Sequence, residues 1–244
     1  MNMKLSEALQ TALLKKCMTE IYCLKISDSL TNEQINRLRK VITVENNNRL
    51  DKFRFRADML RTLFGELLTR YAVSEVFNTD TDKITIKRDK FNKPYFPDLP
   101  LHFNISHSED YVICALSSNK IGIDIEKITD IDIKIAENFF SENEYNFLSG
   151  LNQSDRKQKF FEFWTIKESY VKFTGKGMYI PFDSFNVNLH DGFPEISDKT
   201  NIYFRQYEIS DYKCTACSDV KDFPDSIRYI SEKDIANIFD SHID

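Results

Sequence analysis

The run Ile121-Gly122-Ile123-Asp124-Ile125-Glu126 alternates isoleucine with a small or acidic residue. Strand side chains point to opposite faces in turn, so the isoleucines share one face and Gly122, Asp124 and Glu126 the other. The isoleucine face demands a core. On the opposite face two carboxylates about 7 Å apart repel each other unless a cation sits between them, and the preceding glycine leaves room for a bulky group to approach. That is the outline of a hard-metal site. The same six residues also suit an amphipathic edge strand with solvated acids, so the rest of the chain must decide.

The chain has 244 residues, enough to bury a sizeable core as one large domain or two small ones. A formal charge of -5 lacks the basic excess of a general nucleic-acid binder, so any phosphate site must be a local cluster. Five cysteines without framework spacing fit a reducing cytoplasm. Cys214 and Cys217 form a C-x-x-C inside a strand-like run, with no second Cys or His pair nearby, which favours core filling over zinc or redox chemistry. No segment approaches the roughly 18 apolar residues of a membrane span. The opening MNMKLSEALQTALLKKCM is helical in pattern and interrupted by Glu7 and Gln10, so it reads as a short amphipathic cap on a cytosolic protein rather than a targeting peptide. A partner-binding helix is the alternative there.

Ile21 to Ile26 is expected to be a strand, and Thr31-x-x-Gln34 a capping box opening a helix to about Val44. Ala57 to Phe77, with Leu60, Leu63, Phe64, Leu67, Leu68 and Tyr71 at helical spacing, should be the central helix of the first half. Ile84 to Lys87 alternates as a strand, and Phe91 to Tyr95 makes a turn in which Pro94 holds Lys93 extended. Strands over Phe103–Ser106 and Tyr111–Ser117 are expected to flank a polar turn running from Ser106 to Asp110.

In the second half, Asp132 and Ser141-x-x-Glu144 look like caps for two helices, and Ser154 to Phe173 is one long helix closed by Gly175 and Gly177. Strands cover Phe185–Leu189, Ile202–Ile209 and Tyr212–Ser218, with a turn at His190-Asp191-Gly192 and a short helix from Ser231. Each half thus has one long helix and several strands. That is an α+β plan: an N-terminal helical extension (1–18), an N-terminal subdomain (19–118) and a C-terminal subdomain (119–244) that carries the acidic strand.

Trp164, Glu168 and Lys172 fall at steps of four and lie on one helical stripe, Glu168 and Lys172 in the orientation that favours an ion pair. A solvent-facing salt bridge satisfies that pair alone. Alternatively Glu168 and Lys172 meet Asp124 and Glu126; three carboxylates with no thiolate or imidazole suit an oxygen-loving ion such as Mg²⁺. Ser106, His107 and Ser108 offer hydroxyl and imidazole groups without a nucleophile elbow, and a lone histidine is commonly structural. Arg61, Thr62 and Lys93 are further phosphate candidates. No Walker A or G-x-G-x-x-G motif is present, so any nucleotide must be held in another way.

The runs FNISHS (103–108), IGIDIEK (121–127) and FWTIKESYVKFTGKG (163–177), in this order and spacing, resemble the Sfp-type (surfactin-type) 4′-phosphopantetheinyl transferases. LRTLFGELLTR (60–70), NKPYFPDLP (92–100), FFSENEY (139–145) and IPFDSFNV (180–187) extend the resemblance, which covers the chain from about Ile21 to the C-terminal helix. It implies two pseudo-twofold-related α/β subdomains with the active site in the cleft between them. There the phosphopantetheine arm of coenzyme A would pass to a serine of an acyl or peptidyl carrier protein, releasing adenosine 3′,5′-bisphosphate. Carried over by position, Asp124, Glu126 and Glu168 match the Mg²⁺ ligands and Lys172 the lysine at the pyrophosphate. Thr62, Ser106 and His107 match groups around the nucleotide 3′-phosphate, and Lys93-Pro94 the segment flanking the adenine; Arg49 and Arg61 complete the cofactor-binding candidates. The base is Glu168 or a metal-bound water.

The chain departs from the pattern in three places. Where close relatives carry two basic residues before the first long helix, it has Asn46 and Arg49, which implies one phosphate contact fewer and a weaker preference for coenzyme A over its 3′-dephospho form. Asn92 replaces the glycine usual before Lys-Pro, as a residue that still adopts a left-handed turn. Residues 1–17 have no counterpart. The reading is a cytoplasmic, monomeric enzyme that contacts neither nucleic acid nor membrane; the alternative is a non-catalytic coenzyme A or carrier-binding module of the same fold. Carrier docking is expected over Ile131 to Tyr145, where Ile133, Phe139, Phe140 and Tyr145 lie beside Lys127 and Lys134, although core packing explains those aromatics equally well.

Overall fold

The two longest helical runs form helices of the same length, 22 residues each, and the first, expected to be amphipathic, is buried on every side from Leu67 to Ser74. The computed structural model describes residues 18–27, 30–190 and 193–240. The cap expected over 1–17 and the centre of the expected turn at 190–192 lie outside the described residues. In chain order the elements are β1 (Thr19–Lys25), α1 (Asn32–Arg39), α2 (Val44–Leu50), α3 (Arg56–Phe77), β2 (Lys87–Arg88), β3 (Pro94–Tyr95), β4 (His102–Ser108), β5 (Tyr111–Ser117), β6 (Ile121–Lys127), α4 (Lys134–Phe139), α5 (Glu142–Ser149), α6 (Gln153–Thr174), β7 (Val187–His190), β8 (Phe193–Ile196), β9 (Tyr203–Ile209), β10 (Tyr212–Ser218), β11 (Arg228–Ile230) and α7 (Glu232–Asp240).

The same arrangement occurs twice. A strand leads through a 22-residue helix to an antiparallel hairpin, and the second strand of the hairpin returns to pair with the first strand, giving the orders β1-β5-β4 and β6-β10-β9. Even the closing bonds correspond: Ile26 N donates to Asp110 O at 2.7 Å, and Ile128 N to Asp211 O at 2.8 Å. The chain then crosses back. β11 adds in parallel to the free edge of β1, and Ile235 of α7 buries in the core under α3.

Alternation along the strands sorts the core into layers. Val112, Cys114 and Leu116 of β5 meet Leu63, Phe64 and Leu67 of α3. Their neighbours Ile113 and Ala115 face the other way, onto Ile121, Ile123 and Ile125 of β6. The isoleucine face of the acidic strand is therefore the seal between the two sheets, and its acidic face is turned toward α6. Cys23, Cys114, Cys214 and Cys217 are buried and free, so the C-x-x-C serves as core filling.

Several boundaries differ from expectation for local reasons. Both capping boxes form, at Thr31/Gln34 and Ser141/Glu144, but the first helix stops at Arg39 because Thr43 caps a second one, accepting from Asn46 N. Ile84 does not join a strand; its carbonyl accepts from the buried Arg70, and only Lys87–Arg88 pairs with Pro94–Tyr95. Phe185 stays outside β7, its carbonyl accepting from Lys167. Ser106, His107 and Ser108 lie within β4 rather than in a turn, which is confined to Glu109 and Asp110.

Candidate active site

β4 and β6 are edge strands of different sheets that run side by side in the same direction, joined by side chains. Asn104 Oδ1 accepts from Ile123 N at 2.8 Å, and Ser106 Oγ donates to Asp124 Oδ1 at 2.8 Å. Ser108 Oγ donates to Glu126 Oε2 at 2.9 Å and accepts from Lys127 N at 3.1 Å. This is why a strand carries the polar series Asn104, Ser106, Ser108: each satisfies a backbone or carboxylate group along a seam that no ladder covers.

Gly122 admits a bulky group, as its position suggests, but that group is α6 itself. A Cβ at Gly122 would lie 2.9 Å from Phe173 Cα and closer still to Ser169 O and Phe173 N. The contact lays Glu168 and Lys172 over the acidic face of β6. Lys172 does not pair with Glu168, four residues before it; its Nζ donates to Asp124 Oδ1 at 2.6 Å and to Ser106 Oγ at 2.8 Å. Asp124 is 1% exposed, and its Oδ2 is buried with no partner among the described residues.

Electrostatics at the seam follow from burial. Desolvation pushes Asp124 up, against the opposing pull of Lys172 and Ser106. Glu126 is pushed up to about 7, first by burial and then by the charge of Asp124. Burial also raises Glu168, with Lys172 opposing. For Lys172, burial acts downward but is outweighed by Asp124, Glu168 and Glu126, so the amine is held charged. As they stand, no three Asp, Glu, His or Cys side chains among the described residues form a ready-made metal cage. The donors nevertheless fit a hard divalent cation: they are oxygens only, and the orphaned Oδ2 of Asp124 is an acceptor in need of a partner.

On the other face of β4 lies a cavity of about 260 Å³. It brings together Arg49, Arg61, Thr62, Pro94 and His107 from the expected set. His107 shares its strand face with Phe103 and Ile105; it is exposed at the cavity mouth, and its imidazole is held low by partial desolvation first and then by the charges of Lys172 and Arg61. Two expected residues are placed elsewhere. Ser106 is on the opposite face of β4 in the carboxylate seam, and Lys93 Nζ donates to Lys172 O at 2.7 Å, a cation at the C-terminus of α6. Asn92 does take the left-handed conformation, at φ 65°. Arg88 lines the cavity and escaped notice in the sequence, hidden in the charged run Lys87-Arg88-Asp89-Lys90. Its one signal was membership of the short hairpin ahead of Lys93-Pro94.

Residues 120–217 match the family described as the 4′-phosphopantetheinyl transferase superfamily, and residues 29–119 the description 4′-phosphopantetheinyl transferase, N-terminal. The chain belongs to this family. Within it, the chain is 37% identical over 222 residues to the 4′-phosphopantetheinyl transferase Sfp of Bacillus subtilis (strain 168), covering 88% of this chain and 99% of that protein. It is also 37% identical over 227 residues to the 4′-phosphopantetheinyl transferase gsp of Aneurinibacillus migulanus, covering 91% of this chain and 95% of that protein. It is therefore of the Sfp type. A solved holo-(acyl-carrier-protein) synthase from Bacillus anthracis str. Ames aligns with a TM-score of 0.37 and 25% identity, over 40% of this chain and 92% of that one.

Proposed function

We propose that this chain moves the 4′-phosphopantetheine group of coenzyme A onto a serine hydroxyl of an apo acyl or peptidyl carrier protein, releasing adenosine 3′,5′-bisphosphate. The observation that carries this reading is the cluster of buried Asp124 and Ser106 with half-buried Lys172, flanked by Glu126 and Glu168 and adjoining an arginine-lined cavity, in a member of this family. A chain relieved of chemistry would have no use for so much desolvated charge.

Asp124, Glu126 and Glu168 are the residues that would hold Mg²⁺, which when bound supplies positive charge to pyrophosphate oxygens. Ser106 and Lys172 fix the Asp124 carboxylate. Glu168 takes the proton of the carrier serine as the serine Oγ bonds to the phosphorus bearing pantetheine. The bond from that phosphorus to the bridging oxygen breaks, and Lys172 Nζ, held charged, neutralises the phosphate that leaves. Arg49, Arg61, Thr62 and His107 hold the nucleotide in the cavity, so the protein contributes mainly position and field.

The division into units at 118/119 is supported by the two family matches, which meet at 119/120, although β11 and α7 lie against the first unit. For carrier docking the support is exposed apolar surface: Ile135, Phe139 and Phe147 are 38%, 50% and 47% exposed. Phe140, expected in that surface, is 3% exposed and belongs to the core under α6. We assign the enzyme to the reducing cytoplasm, a reading that rests on its unpaired buried thiols, and take it to act as a monomer; no helix among the described residues is long and apolar enough to cross a membrane. Incubation with coenzyme A, Mg²⁺ and an apo carrier tests the proposal. The carrier must gain the mass of one phosphopantetheine group, and a carrier of unchanged mass overturns it.

A further inference from the structure

Three arginines line the cavity beside β4: Arg61 is paired with Asp58 at 2.5 Å, which leaves Arg49 and Arg88. Arg49 comes from α2 and Arg88 from β2, and neither forms an ion pair among the described residues. The bond recorded for Arg88 is from Nη1 to Asn92 O at 2.8 Å, which braces the guanidinium against its own hairpin. Arg88 is exposed at the cavity edge; partial desolvation there and then the charge of Arg49 lower its pKa, with Glu66 and Glu45 opposing, so the two positive fields overlap. Glu66, the acid in the cavity lining, is already committed: Oε2 accepts from Asn46 Nδ2 at 2.6 Å and Oε1 from Arg70 at 2.8 Å. Asn46 is thereby turned to Glu66 and brings no charge. Two like charges held at one cavity are stabilised by an anion that both can reach, and arginine pairs with phosphate oxygens in a planar, two-point fashion.

We propose that Arg88 is a phosphate-gripping, specificity-determining residue: together with Arg49 it binds the 3′-phosphate of the coenzyme A nucleotide, supplying from β2 the cation that Asn46 does not supply from α2. The inference rests on the coenzyme A reading above. It reverses the expectation drawn from Asn46, because the preference for the 3′-phosphorylated ligand is kept by a different element.

Calorimetric titration with coenzyme A and 3′-dephospho-coenzyme A at one fixed salt concentration tests it on the wild type, Arg88→Ala and the double variant Arg88→Ala/Asn46→Lys. A charge-assisted contact of this kind corresponds to about ten- to a hundredfold in affinity. Arg88→Ala should lose that factor for coenzyme A and leave the dephospho ligand unchanged, and Asn46→Lys in the same chain should restore most of it. Equal weakening of both ligands, no weakening of either, or a double variant as weak as the single one overturns the inference. A wild type that binds the two ligands equally also overturns it while leaving the coenzyme A reading intact. A wild type that binds neither overturns that reading itself.

Discussion

Substituting Gly122 by alanine forces α6 off β6. The added methyl would sit 2.9 Å from Phe173 Cα and nearer to two backbone atoms of α6, whereas carbon atoms rest at about 3.5–4.0 Å. The obstacle is helix backbone on one side and a strand held by seven β10 partners on the other, so no side chain can swing aside. The nearest atom, Ser169 O at 2.0 Å, sets the retreat: restoring a separation of about 3.5 Å moves α6 by about 1.5 Å. That is enough to stretch the 2.6 Å bond from Lys172 to Asp124 and the 2.9 Å contact between the Thr165 and Thr215 hydroxyls. Overpacking of this kind costs about 1–3 kcal/mol, and at about 2–4 °C per kcal/mol for a chain of this size Tm falls by about 2–12 °C. A displacement near 1 Å at a reacting group costs about a hundredfold in rate. The assay pairs a thermal melt with single-turnover transfer to a carrier, and Gly150→Ala is the control, since a Cβ there meets nothing closer than 3.6 Å. If Gly122→Ala melts and transfers like the wild type, the close approach of α6 does not set the geometry of the seam.

Three further outcomes follow from the same contacts. Lys167, 0% exposed, pairs with Glu144 at 2.9 Å and donates to Phe182 O and Phe185 O, so Lys167→Met should cost about 3–5 kcal/mol in a denaturant melt, with Glu144→Gln added in the same chain recovering part of it; an unchanged midpoint in the single variant contradicts this. Burial pushes the Cys23 and Cys114 thiols up to about 12 from an ordinary 9.0; the folded state therefore holds protons that the unfolded chain releases, and stability that is complete below pH 9.0 should drain away as pH rises toward 12. Alkaline melts read this directly, and equal stability of the wild type and a Cys23→Ala/Cys114→Ala variant across that window, relative to neutral pH, would remove it. Charge reversal at Lys127 or Lys134 should raise the KM for the carrier and not that for coenzyme A; an unchanged carrier KM at low salt places docking elsewhere.

What the sequence made legible was local. The capping boxes at Thr31 and Ser141 are read three residues ahead, and α3 is announced by Leu60, Leu63, Phe64, Leu67 and Leu68 at helical spacing, all of them buried. The acidic strand was legible because its isoleucines alternate without a break, and Asp124 could be assigned to one face on that ground alone. What the sequence concealed depends on partners far along the chain. Ser106 and Ser108 look like turn residues until β6 supplies the carboxylates they bind. Gly122 announces a close approach without saying that the visitor is helix backbone. Lys172 sits at ideal spacing from Glu168, yet Asp124, 48 positions away, takes its bond because that acid is the more deeply buried and has Ser106 to share. Three-residue β11 joins β1 in parallel across most of the chain, a pairing with no local signature.

Under the proposed function the β4–β6 seam beneath α6 is the catalytic centre. The direct measurement is single-turnover transfer by Asp124→Ala at saturating coenzyme A and Mg²⁺, with coenzyme A binding and Tm recorded on the same sample. Transfer should be lost while the fold and nucleotide binding persist, because the cavity assigned to the nucleotide lies on the opposite face of β4, and Lys172, 26% exposed, keeps Glu168 and Glu126 as neighbouring acids when Asp124 is removed. Transfer at the wild-type rate would contradict that assignment.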